Sequence, residues 1–494
     1  MRHSENPLRV EFWLGETDPR PLALFRIGLG VLVLHDLLTT YAPDWRAILS
    51  DDGVLPRGDQ VDPFAWSVFD LAGSPTVVCI LLVLGILAVV GFTVGYFTRA
   101  TTIVSWVFLT SLHNRNLYFT DGGDDLVRYL FFYSMFADSN AALSLDVLFG
   151  RRARGPATAL GLRFLQAHLA LLYFVTARLK FRSGWLRNNV IFGTLQLSGF
   201  VRPPGEVLLR FPGLCRALTY VVPVLEASFP WLAFWPWSRR RARGLAIAAA
   251  LGVQLGILST MRVGIFTGVM IWSNVLWLQP EWLDRAEAWV KRRVPWSVPG
   301  RGSRAAAAGD APATGEGGWR VAGMAVRLTR LVLASLLAVQ FAGEAWGPFI
   351  GSHVRMPEAF HRQRRWAALT MPYDLFSNIN EVPHWEGPAM TSDGRTLDAL
   401  SAVAPGMLGG PGWHFSRWYK FVFKVRGRAN LPAELGQWVI RDYARQSGSD
   451  RLVSLRLREG WARAATPATP AGPTPWRDVY EFPELGEETR ENAP

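Results

Sequence analysis

Three polar residues recur at intervals of seven along an otherwise apolar run: Gln166, Tyr173 and Lys180, with Thr176 four residues before the lysine. Seven residues are two helical turns, so the three share one helix face and form a stripe ~21 Å long. A polar stripe inside a membrane must face the bundle interior or a water-filled cavity. Only four of the 52 basic residues are lysine, namely Lys180, Lys291, Lys420 and Lys424. Where arginine is the usual cation, a lysine at the end of an apolar run suggests chemistry, because a desolvated lysine, unlike an arginine, can release its proton and act as a base. Lys180 also reads as an anchor that snorkels from the end of a span. His168 falls off the stripe and reads as a packing residue.

Two further clusters put charge where apolar residues dominate. Arg26 and Asp36 lie ten residues apart in the first apolar run, ~15 Å along a helix, too far for a direct pair. Ionisable groups within spans are functional candidates by default, and the simpler reading is pairing with neighbouring helices. The second cluster runs Leu112-His113-Asn114-Arg115-Asn116 and then Asp121-Gly122-Gly123-Asp124-Asp125-Leu126-Val127-Arg128. Its glycines allow a tight turn, and its carboxylates suit the positive end of a helix. It reads either as a site or as a capped, solvated turn. Asp124, four residues before Arg128, is the expected partner of that arginine. This pairing would leave Lys180 without a fixed counter-ion. Lys180, Tyr173, Gln166 and Arg128 are then expected around one outward-opening cavity, with Asp124 and Arg115 near its mouth and Asn116, Arg26 and Asp36 also in its lining.

The elements that must hold these residues are membrane helices. The 494-residue chain is 50% hydrophobic and only 19% charged, which excludes a disordered chain and sits below the charge of an ordinary soluble enzyme. About nine runs are long enough to cross a ~30 Å hydrocarbon core. They are 21–41, 76–97, 101–117, 126–143, 160–179, 217–235, 245–261, 263–278 and 321–341. The run 186–197 is too short to span. The net charge of +12 sits mostly in short loops, so it speaks for topology rather than nucleic-acid binding. Arginines in the leader and in the loops after the second, fourth, sixth and eighth runs put the N-terminus on the cytoplasmic side. The aspartate-rich loop 44–70 then lies outside, whereas the basic loop after the fifth run breaks the pattern. The first 20 residues are polar and no small-residue cleavage site follows the first apolar run, so no signal peptide is expected. Cys79 and Cys215 make neither a disulfide framework nor a metal site, and no metal is expected.

The fold expected is therefore an all-α polytopic membrane protein with a small α+β extracytoplasmic domain at its C-terminal end. Residues 1–20 are a cytoplasmic leader, 21–345 the membrane domain with a flexible cytoplasmic linker at 299–318, 346–463 the outer domain, and 464–494 a disordered tail. Alternation of Phe421, Phe423 and Val425 predicts a strand over 413–428, and 451–458 alternates as well. Residues 431–445 have helical spacing, and Ser392-Asp393-Gly394 marks a turn.

In their order, Arg26…Asp36, Arg115-Asn116, Gly122-Gly123-Asp124…Arg128, Ser144-Leu145-Asp146, and Gln166…Tyr173…Lys180…Trp185 resemble the HTTM family. Its eukaryotic member is the vitamin K-dependent γ-glutamyl carboxylase. The resemblance covers roughly residues 15–345, and a Trp366…Met371-Pro372 segment follows it. It implies that Lys180, five residues before Trp185, is the base that deprotonates a reduced quinone. The oxygenated quinone then removes a γ-proton from a peptide glutamate, and carbon dioxide adds. The chain departs from the carboxylase where that enzyme has an Asn-His pair: here the segment is Gly122-Gly123-Asp124-Asp125, and the nearest histidine is His113. Together with the arginine-rich composition, the resemblance implies a bacterial inner-membrane member. Two functions stay open. One is an enzyme acting on a peptide or lipid-like substrate at the outer membrane face, with a reduced quinone as cosubstrate. The other is a non-catalytic membrane partner for the maturation or export of a secreted peptide or protein. The expected partners are the bilayer and such a secreted chain, and no nucleic acid. A transporter is less well supported, since no inverted repeat is evident.

Overall fold

The computed structural model describes residues 6–57, 64–182, 184–187, 189–197, 199–237, 239–293, 332, 334–345, 356–366, 381–408, 416–425, 430–463 and 475–483. Its main helices are α1 (Arg20–Asp36, continued by a π turn to Tyr41), α2 (Pro75–Val94), α3 (Thr98–Arg115), α4 (Gly122–Ser134), α5 (Ala159–Arg182), α6 (Pro212–Phe234), α7 (Arg239–Thr260), α8 (Phe266–Ser273) and α9 (Pro280–Arg293). Two further helices follow, α10 over 334–345 and α11 (Glu358–Trp366). Among the described residues, five helices are long and apolar enough to cross a membrane: α1 with its extension, α2, α5, α6 and α7. The expected runs at 101–117, 126–143 and 263–278 correspond to α3, α4 and α8, which are shorter or more polar. The run at 321–341 lies largely outside the described residues, as does the linker 299–318.

Local sequence explains the helix ends. Proline at the first position starts α2, and Gly95, at φ 72°, ends it in the left-handed conformation that glycine adopts freely. Asp121 and Asp124 form a reciprocal capping box at the start of α4. Burial separates the central helix from its neighbours. In the apolar window of α5, 94% of residues are buried, against 28% for α2 and for α6. The polar residues of α5 are therefore enclosed by other helices. The outward faces of α2 and α6 expose Ile80, Leu84, Leu87, Val221, Val224 and Trp231, as expected of lipid-facing helices. Close approach needs small residues: a Cβ on Gly28 of α1 would overlap the Trp272 indole, which donates its N–H to the Leu24 carbonyl at 2.9 Å.

The C-terminal domain is α+β. Strands β1 (Glu381–Glu386), β2 (Pro388–Thr391), β3 (Thr396–Asp398), β4 (Leu452–Arg463) and β5 (Trp476–Phe482) form one antiparallel sheet. The long β4 pairs with β1 and β2 along one edge and β5 along the other. Residues 392–394 turn between β2 and β3, with Gly394 at φ 82°. The helical spacing at 431–445 corresponds to α13 (Leu431–Gln446). Two expectations need correction. The segment read as a strand at 413–428 contains a helix, α12 (Arg417–Val425). Its Trp418, Phe421, Val422 and Val425 have helical spacing and are buried, while Phe423 packs on the opposite side against Phe200 with ring centroids 5.7 Å apart. Apolar residues on two faces imitate alternation. The tail read as disordered contributes β5, because Tyr480 and Phe482 supply apolar pairing opposite Leu457 and Leu455.

Candidate active site: a cavity beside a buried lysine–glutamate pair

A cavity of about 220 Å³ opens among α5, α6, α7, the 121–123 turn and α12. Packed interiors contain few voids larger than a water molecule, so a space of this size is a candidate site. Its walls are mostly apolar, with Leu172, Leu195, Val222, Ile257 and Phe266 contributing. Gly252 and Gly256 of α7 border it and are exposed. A Cβ on either glycine would meet nothing within 4 Å, so this side of the cavity is open.

Polar groups enter at two ends. At one, the α5 stripe delivers Tyr173, Thr176 and Lys180. The Lys180 ammonium bonds both carboxylate oxygens of Glu226 at 2.6 Å, and both residues are buried. Nζ also sits 5.1 Å from the centre of the Trp185 ring, which is held by an indole N–H bond of 2.9 Å to the Thr219 carbonyl. The expectation that Lys180 lacks a fixed counter-ion is therefore overturned. Glu226 is the sole acidic residue of the sixth apolar run, and that isolation was the available signal. Gln254 donates to the Tyr173 hydroxyl at 3.4 Å, while its own buried Oε1 has no hydrogen-bond partner.

At the other end are Asp121 of the capping turn and Lys420 of α12. Asp121 Oδ1 accepts from the backbone of Gly123 and Asp124, while its buried Oδ2 has no partner. Burial, reinforced by the neighbouring Asp124 carboxylate, pushes Asp121 up to about 6. Burial also lowers the Lys420 ammonium below its ordinary range. The C-terminal domain thus supplies part of the cavity wall.

The other residues expected around the cavity lie elsewhere. Gln166, two turns below Tyr173, donates to the Leu276 carbonyl at 2.7 Å and accepts from Arg163 at 2.8 Å. Arg128 pairs with Asp125 rather than Asp124: three residues along a helix bring Asp125 within its reach, while Asp124 is already engaged. Asp124 caps the turn, lies 3.2 Å from His113 Nε2, and accepts both guanidinium nitrogens of Arg417 at 2.7 and 3.0 Å. Arg417 also binds Asp36 at 2.7 Å and stacks 3.8 Å over the Tyr41 ring. Burial opposes its charge, but the Asp124 and Asp36 carboxylates outweigh it and hold the guanidinium well above its ordinary range. Asp36 is thus an anchor for the C-terminal domain. Arg115 bonds the Leu55 carbonyl at 3.0 Å, and Asn116 the Ile48 carbonyl at 3.4 Å; both hold the loop after α1. Arg26 donates to the backbone carbonyls of Ser139 at 2.7 Å and of Leu143. His168 packs as expected, stacked on Tyr129 at 4.6 Å, but its Nδ1 also lies 2.8 Å from Glu344, whose other oxygen accepts from Tyr133 at 2.5 Å. This network joins α10 to the bundle and was not legible in the sequence.

Among the described residues no group of three or more His, Cys, Asp and Glu could hold a metal ion. The arrangement suits proton transfer: an enclosed amine and carboxylate in direct contact beside an apolar space. The family model described as HTTM domain matches residues 15–282. No curated protein and no solved structure matches the chain.

Proposed function

Since the chain belongs to the HTTM domain family and is a membrane protein with helices apolar enough to span, we propose that it is a membrane enzyme whose Lys180 and Glu226 remove a proton from an amphiphilic substrate. The observation carrying this reading is the buried 2.6 Å pair on the wall of an apolar cavity. By resemblance the cosubstrate is a reduced quinone, which supplies acidic hydroxyls on an apolar ring. The cavity's apolar walls fit such a ring, and its open side at Gly252 and Gly256 suits entry from the bilayer.

Lys180 reacts as half of a pair. Its proton passes to Glu226 as Nζ takes the proton of a substrate hydroxyl. The net result is a protonated Glu226 and an ammonium beside the new negative charge. In a dry site that ammonium stabilises the charge far more than it would in water. The pair thus combines base and electrostatic stabiliser, roles that a lone neutral lysine fills less well.

The test supplies purified protein with reduced vitamin K, oxygen, labelled bicarbonate and glutamate-containing peptides. Consumption of the reduced quinone that disappears in Lys180→Met is the expected result, and label in the peptide would extend it to carboxylation. No epoxide and no label would exclude the carboxylase version. A Lys180→Ala strain with unchanged phenotype would favour a non-catalytic partner in the maturation or export of a secreted peptide or protein.

The topology proposed has about nine spans in a bacterial inner membrane, a cytoplasmic N-terminus and an outer C-terminal domain, which puts the Lys180 end of α5 near the outer face. Single-cysteine variants, with Cys79 and Cys215 replaced, report on it. A membrane-impermeant reagent added outside is expected to label a cysteine at Ser392 and not one at Ser303. The reverse pattern would invert the topology.

A further inference from the structure

We propose a second binding site, unrelated to the cavity, that takes the phosphate of an anionic membrane phospholipid. It is a pocket of about 250 Å³ at the start of α3 and the end of α4, lined by Thr98, Arg99, Thr102, Ser134, Asp138 and Arg152 among others. Its two guanidiniums are under-used. Arg99 and Arg152 approach the Asp138 carboxylate at 3.9 and 3.8 Å, beyond hydrogen-bond length. The buried Nε of Arg152 has no acceptor at all. Asp146, whose partners Thr98 and Asn140 line the pocket, is committed: it accepts from the backbone of Phe97 and Thr98, the Thr98 hydroxyl and Asn140. Asp138 Oδ2 is likewise held by the Thr158 backbone N–H at 3.0 Å. A phosphate between Arg99 and Arg152 would gain charge-assisted bonds that the protein leaves unmade.

The surroundings select a lipid over a soluble anion. Tyr96, Phe97, Leu148 and Phe149 are exposed beside the pocket, and Arg151 lies 4.6 Å from the Tyr96 ring centre and 4.4 Å from that of Phe97. Exposed aromatics interleaved with arginine mark the depth of the headgroups. Ile103 and Val104, one to two turns along α3, are exposed apolar residues against which an acyl chain can lie. The pocket therefore offers cation at headgroup level and apolar surface beneath it.

Native mass spectrometry of the purified full chain, titrated with phosphatidylglycerol, tests the assignment. Arg99→Gln with Arg152→Gln is expected to weaken binding by roughly ten- to thirtyfold, from about 1 kcal/mol per basic residue near a charged lipid surface. Arg293→Gln, at a residue that does not line the pocket, is expected to leave it unchanged. Asp138→Asn removes the competing charge and is expected to tighten binding, a change that misfolding cannot imitate. Equal binding by the double variant, or weaker binding by Asp138→Asn, would overturn the site. Displacement of the lipid by equimolar inorganic phosphate would reassign it to a free anion and overturn the lipid claim.

Discussion

Replacing Arg417 with methionine is expected to lower the thermal midpoint of the purified protein by several degrees and to expose the C-terminal domain to protease. Arg417 is fully buried and bonds the carboxylates of Asp36 and Asp124, which come from two different membrane-domain helices. Removing it leaves two carboxylates enclosed together without their cation. Removing one partner of a buried ion pair costs about 3–5 kcal/mol. The stacking on Tyr41 is lost too, although methionine retains some of the apolar contact. Adding Asp36→Asn and Asp124→Asn to Arg417→Met removes the stranded charges and is expected to recover much of the midpoint. An unchanged midpoint in the single variant would mean that the C-terminal domain is held by its apolar contacts alone, such as Trp418 and Phe421 against Phe119 at 4.9 Å.

The Lys180–Glu226 pair is expected to separate stability from chemistry. Either Lys180→Met or Glu226→Leu strands a buried charge and costs about 3–5 kcal/mol, whereas the double substitution removes both charges and returns close to the wild-type midpoint. Turnover follows a different pattern. Loss of general acid–base catalysis lowers rates by about 10²–10⁴, so all three variants are expected to be inactive, including the stable one. Thermal scans alongside quinol consumption distinguish the two effects. A double variant that is stable and still turns over would remove the pair from the chemistry.

The five long apolar helices among the described residues were legible because a span depends on composition over a whole helix. An unbroken apolar run such as Val77–Phe97 has few alternatives to a span. The stripe on α5 was legible for the same reason, and Tyr173, Thr176 and Lys180 do share one wall of the cavity. Pairing across helices was less legible. Asp124 is four residues before Arg128, which local spacing favours, yet it binds Arg417, 293 positions away. Nothing near Arg417 in the sequence marks it as the cation for two aspartates of the membrane domain. Glu226 was different: a lone carboxylate in an apolar run must find a partner, and the lysine at the end of another span was available. The cavity's open side had no sequence signal of its own, since Gly252 and Gly256 read locally as ordinary small residues of a membrane helix.

Those two glycines allow the most direct test of the central claim that this cavity holds the substrate. At Gly256 a leucine side chain has open space at its Cβ, and leucine is the better helix former by up to about 1 kcal/mol. A photoreactive naphthoquinol analogue, bound to the protein in lipid nanodiscs and mapped by peptide mass spectrometry, reports where an amphiphilic ring resides. The account predicts cross-links in the Tyr173–Lys180 and Leu218–Glu226 segments, and their loss in Gly256→Leu with the melting midpoint preserved. Cross-links confined to other segments, or unchanged labelling in the filled variant, would contradict it.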